Sequence, residues 1–236
     1  MEEIILEKIL LQYREKPLFV AIHGPQGCGK STSCKNVKKK LQIMGLRVLI
    51  MSLDDFYYPH EKLQQLFFEF NDELYKYRGL AGTHDTQLLY HCLDKLQKGE
   101  NVLIPKYNKT LNNGLGDIEE FIPHEGKFDV VLFEGWMIGY KPRKYIPHHL
   151  RRFNFELEKY QNLKNYFDLW IYFDTHIKNI YKWRYSAEKT MDIDTFNQFM
   201  KPYFVIYSNY LICTRENIYY LNENREILKN DNRTPN

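Results

Sequence analysis

Short apolar runs, each closed by a polar or glycine-bearing turn, alternate along this chain with longer stretches of helical spacing. Residues 18–22 (Leu-Phe-Val-Ala-Ile) and 129–133 (Asp-Val-Val-Leu-Phe) are continuous runs of β-formers, which predicts strands buried on both faces. Residues 46–53, 101–104, 167–173 and 218–221 read as further strands, the 101–104 strand stopped by Pro105. Residues 30–44, 61–77, 86–97, 177–189 and 194–210 carry apolar positions at helical spacing. Gly45 and Gly99 stand where two of those helices should stop. Residues 106–127 hold glycines, Asn112-Asn113 and Pro123 with little periodicity, and are expected to be a loop excursion or a small hairpin. Residues 141–152 read as a basic, proline-containing loop, and 229–236 as a frayed polar tail. Alternating strands and helices, with strands apolar throughout, predict an α/β domain. Its sheet is mostly parallel and covered by helices on both faces, a three-layer sandwich.

Length and composition narrow this picture. The 236 residues suit one domain, and a 44% hydrophobic content supplies a sizeable core. The net charge of +3, from 33 basic and 30 acidic residues, is too mild to make nucleic acid or a membrane surface the main partner. It leaves the oligomeric state open. Residues 1–16 read as an amphipathic helix and lack the apolar block of a signal peptide. No apolar run has the length of a membrane span. Cys28, Cys34, Cys92 and Cys213 form no Cys-x-x-Cys pair and are expected to be reduced thiols of a cytoplasmic protein.

The chemistry starts directly after the first strand. Gly24-Pro25-Gln26-Gly27-Cys28-Gly29-Lys30-Ser31-Thr32 satisfies G-x-x-x-x-G-K-[ST] in full, with a strand before it and a helix after it. Backbone N–H groups of such a loop cradle phosphates, and the following helix adds its positive end. Lys30 reaches the β- and γ-phosphates and the Ser31 hydroxyl can ligate Mg²⁺. Cys28 reads as a small filler within the loop. Strand ends supply the acids: Asp54, Asp55 and Tyr57 follow the second strand, and Glu134 follows the run at 129–133. Ligands of an open α/β sheet bind at this edge. Asp54 is the candidate base for a substrate hydroxyl, Asp55 a cap, metal partner or acceptor-site residue, and Glu134 a Mg²⁺ ligand. Arg78, His84, Lys106 and Tyr107 are candidates for the acceptor pocket.

A set of further motifs makes the comparison specific. Ser-x-Asp-Asp-Phe-Tyr (52–57), Gly-Thr-His-Asp (82–85), Pro-x-Tyr-Asn-Lys-Thr (105–110), Gly-x-Gly-Asp (114–117), Phe-Glu-Gly-Trp-Met-x-Gly (133–139) and Trp-Arg-x-x-Ala-Glu (183–188) occur in order. Together they resemble the D-glycerate 3-kinase family, relatives of uridine kinase, pantothenate kinase and phosphoribulokinase. The likeness spans residues 18–211. It implies a P-loop kinase domain over residues 1–236 that uses ATP and Mg²⁺ on a small hydroxylated metabolite, D-glycerate first. A nucleoside or pantothenate-like alcohol is the alternative. It also implies that Asp54 is the base and that Arg184 is a lid arginine within about 177–190. Thr83, His84 and Asp85 would form the acceptor loop. Asn108 and Thr110 stand where the family often has Asp and Ser, which puts the acceptor in question. A GTP-dependent switch would need Asn-Lys-x-Asp, and residues 108–111 lack the aspartate. A non-catalytic ATP-binding role is opposed by the intact set of Lys30, Ser31, Asp54 and Glu134.

Overall fold

The computed structural model describes residues 1–188, 191–210 and 217–228. The end of the 177–189 helix, Cys213 and the 229–236 tail lie outside the described residues. Along the chain the elements run α1 (Glu2–Gln12), β1 (Leu18–His23), α2 (Lys30–Ile43), β2 (Val48–Ser52), α3 (His60–Phe70), α4 (Thr86–Lys98), β3 (Val102–Asn108), β4 (Asp117–His124), β5 (Val130–Gly135), α5 (Arg151–Leu157), β6 (Leu169–Thr175), α6 (Ile177–Ala187), α7 (Ile193–Asn209) and β7 (Ile218–Leu221). β1, β2, β5, β6 and β7 form one sheet in the order β2-β5-β1-β6-β7, parallel at every pairing.

Alternation along the central strands divides the core between two faces. Val20 and Ile22 of β1 join Val130 and Leu132 of β5 against Ile5 and Ile9 of α1 and Cys34, Val37 and Leu41 of α2. Phe19, Ala21, Val131 and Phe133 point the other way, into a cluster that includes α4, α5 and α7. Helix α4 shows how local sequence serves this packing. The Asp85 carboxylate accepts from Leu88 N at 2.9 Å and caps its start. Leu89, Cys92, Leu93 and Leu96 are buried at positions i, i+3, i+4 and i+7. Gly99, at φ 69°, ends the helix in the left-handed region that glycine adopts without strain. Each fully buried leucine is worth about 1.5–3 kcal/mol, so Leu89→Ala would cost about 2–5 kcal/mol.

Three expectations need correction. The helix expected over 61–77 stops at Phe70, because Asn71 turns left-handed at φ 42° and closes it on Phe67 O; a short 3₁₀ turn, Glu73–Tyr75, follows. The strand expected to stop at Pro105 runs through it to Asn108. β3 pairs only with β4, and a two-stranded ribbon has open edges where a residue without N–H is tolerated. The segment after Pro105 is therefore the small hairpin of the two readings and not the loop excursion. The basic loop at 141–152 ends in the first turn of α5.

Candidate active site

Strand register brings the chemistry to one edge. Ser52 of β2 lies opposite Glu134 of β5, and Glu134 lies opposite Ile22 of β1, one residue before His23 and the phosphate loop. Within the loop Gly27 and Gly29 hold φ of 75° and 100°. Gly24 is needed for another reason: a Cβ there would lie 3.0 Å from Cys28 Sγ and 3.2 Å from Lys30 Cδ. Lys30 is buried and donates to Gly24 O (2.8 Å) and Pro25 O (3.0 Å). Its ammonium thus rests on loop carbonyls, within the cradle where phosphate oxygens would compete for it. Thr32 is exposed on the first turn of α2. Cys28 is buried, which pushes its thiol pKa up and suits the filler role.

A short chain of hydrogen bonds joins this loop to the second acid. Ser31 Oγ donates to Glu134 Oε1 at 2.6 Å, Ser52 Oγ donates to the same oxygen at 3.2 Å, and Asp54 N donates to Ser52 Oγ at 3.3 Å. Two hydroxyls and a carboxylate are hard oxygen donors that suit Mg²⁺, an ion usually completed by substrate phosphates and water. Among the described residues no cluster of three or more His, Cys, Asp or Glu could hold a metal unaided. The donor set therefore fits a divalent ion delivered with a nucleotide.

Asp54 sits in a 3₁₀ turn directly after β2. Its carboxylate accepts from the Tyr57 hydroxyl at 3.0 Å and forms an ion pair with Lys109. Burial alone would raise its pKa; the Lys109 ammonium and the other polar neighbours outweigh that and hold it at about 2. The acceptor-loop residues reach Asp54 by backbone pairing. Tyr57 and His84 form an antiparallel bridge, Tyr58 N donates to Thr83 O (3.1 Å), and Asp85 N donates to Phe56 O (2.7 Å). The His84 ring then stacks on Tyr57 with centroids 4.3 Å apart. Its Nδ1 meets the Tyr160 hydroxyl at 2.9 Å, and its Nε2 is buried without a partner. Burial holds this imidazole down at about 3, so it stays neutral at ordinary pH.

Other expected residues have their side chains occupied within the fold. Thr83 is fully buried, and its hydroxyl donates to Leu80 O (2.8 Å) and accepts from Gly79 N (3.1 Å). Asp85 caps α4. Asp55 accepts from Lys106 Nζ and from Tyr107 N, each at 3.3 Å, and so fastens the hairpin to the end of β2. Arg78 donates to Gly114 O at 3.0 Å and lies 5.5 Å from the Tyr107 ring and 6.0 Å from that of Tyr57. Arg184 pairs with Glu188 and lies over Phe199, with Nε buried and unpartnered. Its Cδ would be 3.6 Å from a Cβ at Gly27, which puts it against the phosphate loop.

Sequence reading missed four contributors. Lys109 stands in the same motif as Lys106 and Tyr107 with nothing local to single it out. Ser52 was read only as part of a motif. Arg225 donates Nε–H to Gly27 O at 2.8 Å and lies over Trp183, a meeting of residues 198 apart that no local pattern signals. Tyr207, on a helix that the apolar spacing marks only as amphipathic, accepts from Gln26 N at 3.0 Å. The one available hint was that α7 places Tyr rather than Phe at 203 and 207, one turn apart.

A glycine loop between a buried strand and a helix, with acids at the ends of two neighbouring strands, defines a P-loop enzyme of the kinase class. Known proteins agree. The AAA domain family model matches residues 13–104, the stretch that contains the loop. Over 273 aligned residues the chain is 32% identical to the uncharacterized kinase mug58 of Schizosaccharomyces pombe, covering 99% of this chain and 97% of that protein. It is 32% identical over 218 residues to the chloroplastic D-glycerate 3-kinase of Arabidopsis thaliana. That match covers 83% of this chain, which spans about half (48%) of the plant enzyme's length. The solved structure of D-glycerate 3-kinase from Cryptococcus neoformans superposes with a TM-score of 0.83 at 27% identity, covering 97% of this chain and 95% of that one. The chain belongs to the D-glycerate 3-kinase family of P-loop kinases. Among the described residues no helix is long and apolar enough to cross a membrane.

Proposed function

We propose that this protein transfers the γ-phosphoryl group of ATP to a hydroxyl of D-glycerate, with Mg²⁺ held by Ser31 and Glu134. The observation that carries this reading is the hydrogen-bonded chain Ser31–Glu134–Ser52–Asp54, which joins the phosphate loop to a second, ionised acid. The loop N–H groups and Lys30 grip the triphosphate, and Arg184 and Arg225 flank it at Gly27. Bound Mg²⁺ supplies positive charge on the phosphate oxygens. Asp54 takes the proton of the acceptor hydroxyl as that oxygen bonds to the γ-phosphorus, and the bond to the β-phosphate oxygen breaks to release ADP. His84, neutral and with a free ring nitrogen, Tyr57 and Arg78 form the acceptor wall. Most of the rate enhancement in this class comes from positioning and charge stabilisation. A cytoplasmic setting goes with this reading, and the buried free thiols of Cys28, Cys34 and Cys92 suit it.

A panel of D-glycerate, other hydroxy acids, nucleosides and pantothenate, read by ADP release, tests the proposal. D-glycerate should give the highest kcat/KM and ³¹P NMR should show a phosphate monoester. Preference for a nucleoside or pantothenate would replace the acceptor; absence of turnover across the panel would overturn the kinase reading.

A further inference from the structure

Three cations of the acceptor side lie near Asp54, and two are engaged elsewhere. Arg78 is committed to the carbonyl of Gly114 and to two tyrosine rings. Lys106 pairs with Asp55. Lys109 alone among them pairs with the candidate base itself, in a pair that is only partly buried: its side chain is 55% exposed and that of Asp54 35%. We propose that Lys109 is an exchangeable acceptor-anion site: the carboxylate of the incoming hydroxy acid takes the Lys109 ammonium from Asp54, and the acceptor thereby frees its own base. This rests on the kinase reading above and adds to it the residue that selects an anionic acceptor.

Four observations support it. First, the hairpin tip is built to present this side chain. Asn108 Oδ1 accepts from Thr110 N (2.9 Å) and Thr110 Oγ1 (2.7 Å), a local turn that brackets Lys109. Asn108 Nδ2 donates to Glu119 Oε1 at 3.1 Å and ties that turn to β4. Second, the hairpin is fastened to the end of β2 through Asp55, which brings the Lys109 ammonium to Asp54. Third, exposed ion pairs are weak and carry little penalty for exchanging partners; an acceptor carboxylate replaces one charge-assisted bond with another. Fourth, the Lys109 ammonium occupies Oδ2 of Asp54 while the Tyr57 hydroxyl donates to Oδ1, so its departure clears a carboxylate oxygen to receive the proton of the acceptor hydroxyl.

The test compares an anionic and a neutral acceptor of the same skeleton, D-glycerate and glycerol, in wild type, Lys109→Met and Lys109→Arg. Glycerol is read as acceptor, or as competitive inhibitor if it is not turned over. We expect Lys109→Met to raise KM for D-glycerate by about 10–100-fold. The effect on glycerol should be at least about tenfold smaller, and Lys109→Arg should recover most of the loss. An unchanged KM for D-glycerate in Lys109→Met would overturn the proposal, as would equal losses on both acceptors, the mark of a merely structural role. Turnover of D-glycerate by wild type with either of those results removes this inference alone. Absence of wild-type turnover on every hydroxy acid removes the glycerate reading and this inference with it.

Discussion

On one side of the site the phosphate loop joins β1 to α2 beside β5, and both strands are buried along their whole length. On the other side Asp54 is flanked by a two-stranded hairpin, a turn at 78–85 and partly exposed side chains that pair directly with one another. Main-chain geometry and buried contacts hold the nucleotide side. Partly exposed ion pairs and side-chain bonds to carbonyls hold the acceptor side. The chemistry each must perform accounts for the contrast. A triphosphate is the same in every turnover and is gripped by fixed N–H groups, whereas an acceptor must enter, exchange its charge partners and leave.

The most severe way to probe that contrast is to remove the base and leave the loop intact. Asp54→Asn should lower kcat by about 10²–10⁴-fold while nucleotide affinity, measured by titration with an ATP analogue, stays within about threefold. Equal losses of both would mean that the two sides are not separable. On the nucleotide side, Glu134→Gln keeps the shape but removes the charge that accepts from Ser31 and Ser52. It should raise the Mg²⁺ concentration needed for half-maximal rate by about 10–100-fold, with KM for the acceptor little changed. A shift confined to the acceptor would place Glu134 on the wrong side of the division.

The same division marks what was legible in the sequence. Residues 24–32 read as a phosphate loop because strand, turn and helix are contiguous, and each residue's job is set by its neighbours. Asp54 and Glu134 stand out as candidates because a buried apolar run announces where its strand ends. The hairpin stands only as one of two readings, for a physical reason. β4 is half-exposed or exposed at every position, so Asp-Ile-Glu-Glu-Phe-Ile-Pro-His has no buried face to impose alternation. The pairing of Lys109 with Asp54 spans 55 residues and that of Arg225 with Gly27 spans 198, and neither leaves a periodic trace. Thr83 and Asp85 belong to a recognisable motif, yet the motif could not say that their side chains would be used for a turn and a cap.

A smaller perturbation tests whether the hairpin tip sets the acceptor side. Asn108 lies opposite Asp117, and its amide donates to Glu119, the diagonal neighbour on β4. Asn108→Asp, which restores the residue common in the family pattern, removes that donor and sets two carboxylates against each other. Like charges across a ribbon cost about 0.2–1 kcal/mol, so KM for the acceptor should rise about 1.5–5-fold while KM for ATP does not move. A fall in KM would show that the asparagine is not there to steady the turn.

The smallest effect is the contribution of the Asp54–Lys109 pair to stability, and its sign is set by the direction of the shift. The folded carboxyl titrates at about 2, below its ordinary value of 3.8. The pair therefore stabilises the fold above pH 3.8, and that contribution is lost as pH falls through about 2. With both side chains substantially exposed, screening limits it to about 0.2–1 kcal/mol. Urea unfolding of wild type and Asp54→Asn at pH 6 and pH 2 should show a gap of that size that closes in acid and narrows in 1 M salt. His84, held at about 3 by burial against 6.5 in the unfolded chain, lowers the stability of both proteins as pH falls below about 6.5, so the gap between them, not either stability alone, is the quantity to read. A gap that persists at pH 2, or one insensitive to salt, would mean that Asp54 is locked in place by buried contacts. The acceptor side would then be as rigid as the phosphate loop, and an exchange of partners at Lys109 would have no room to occur.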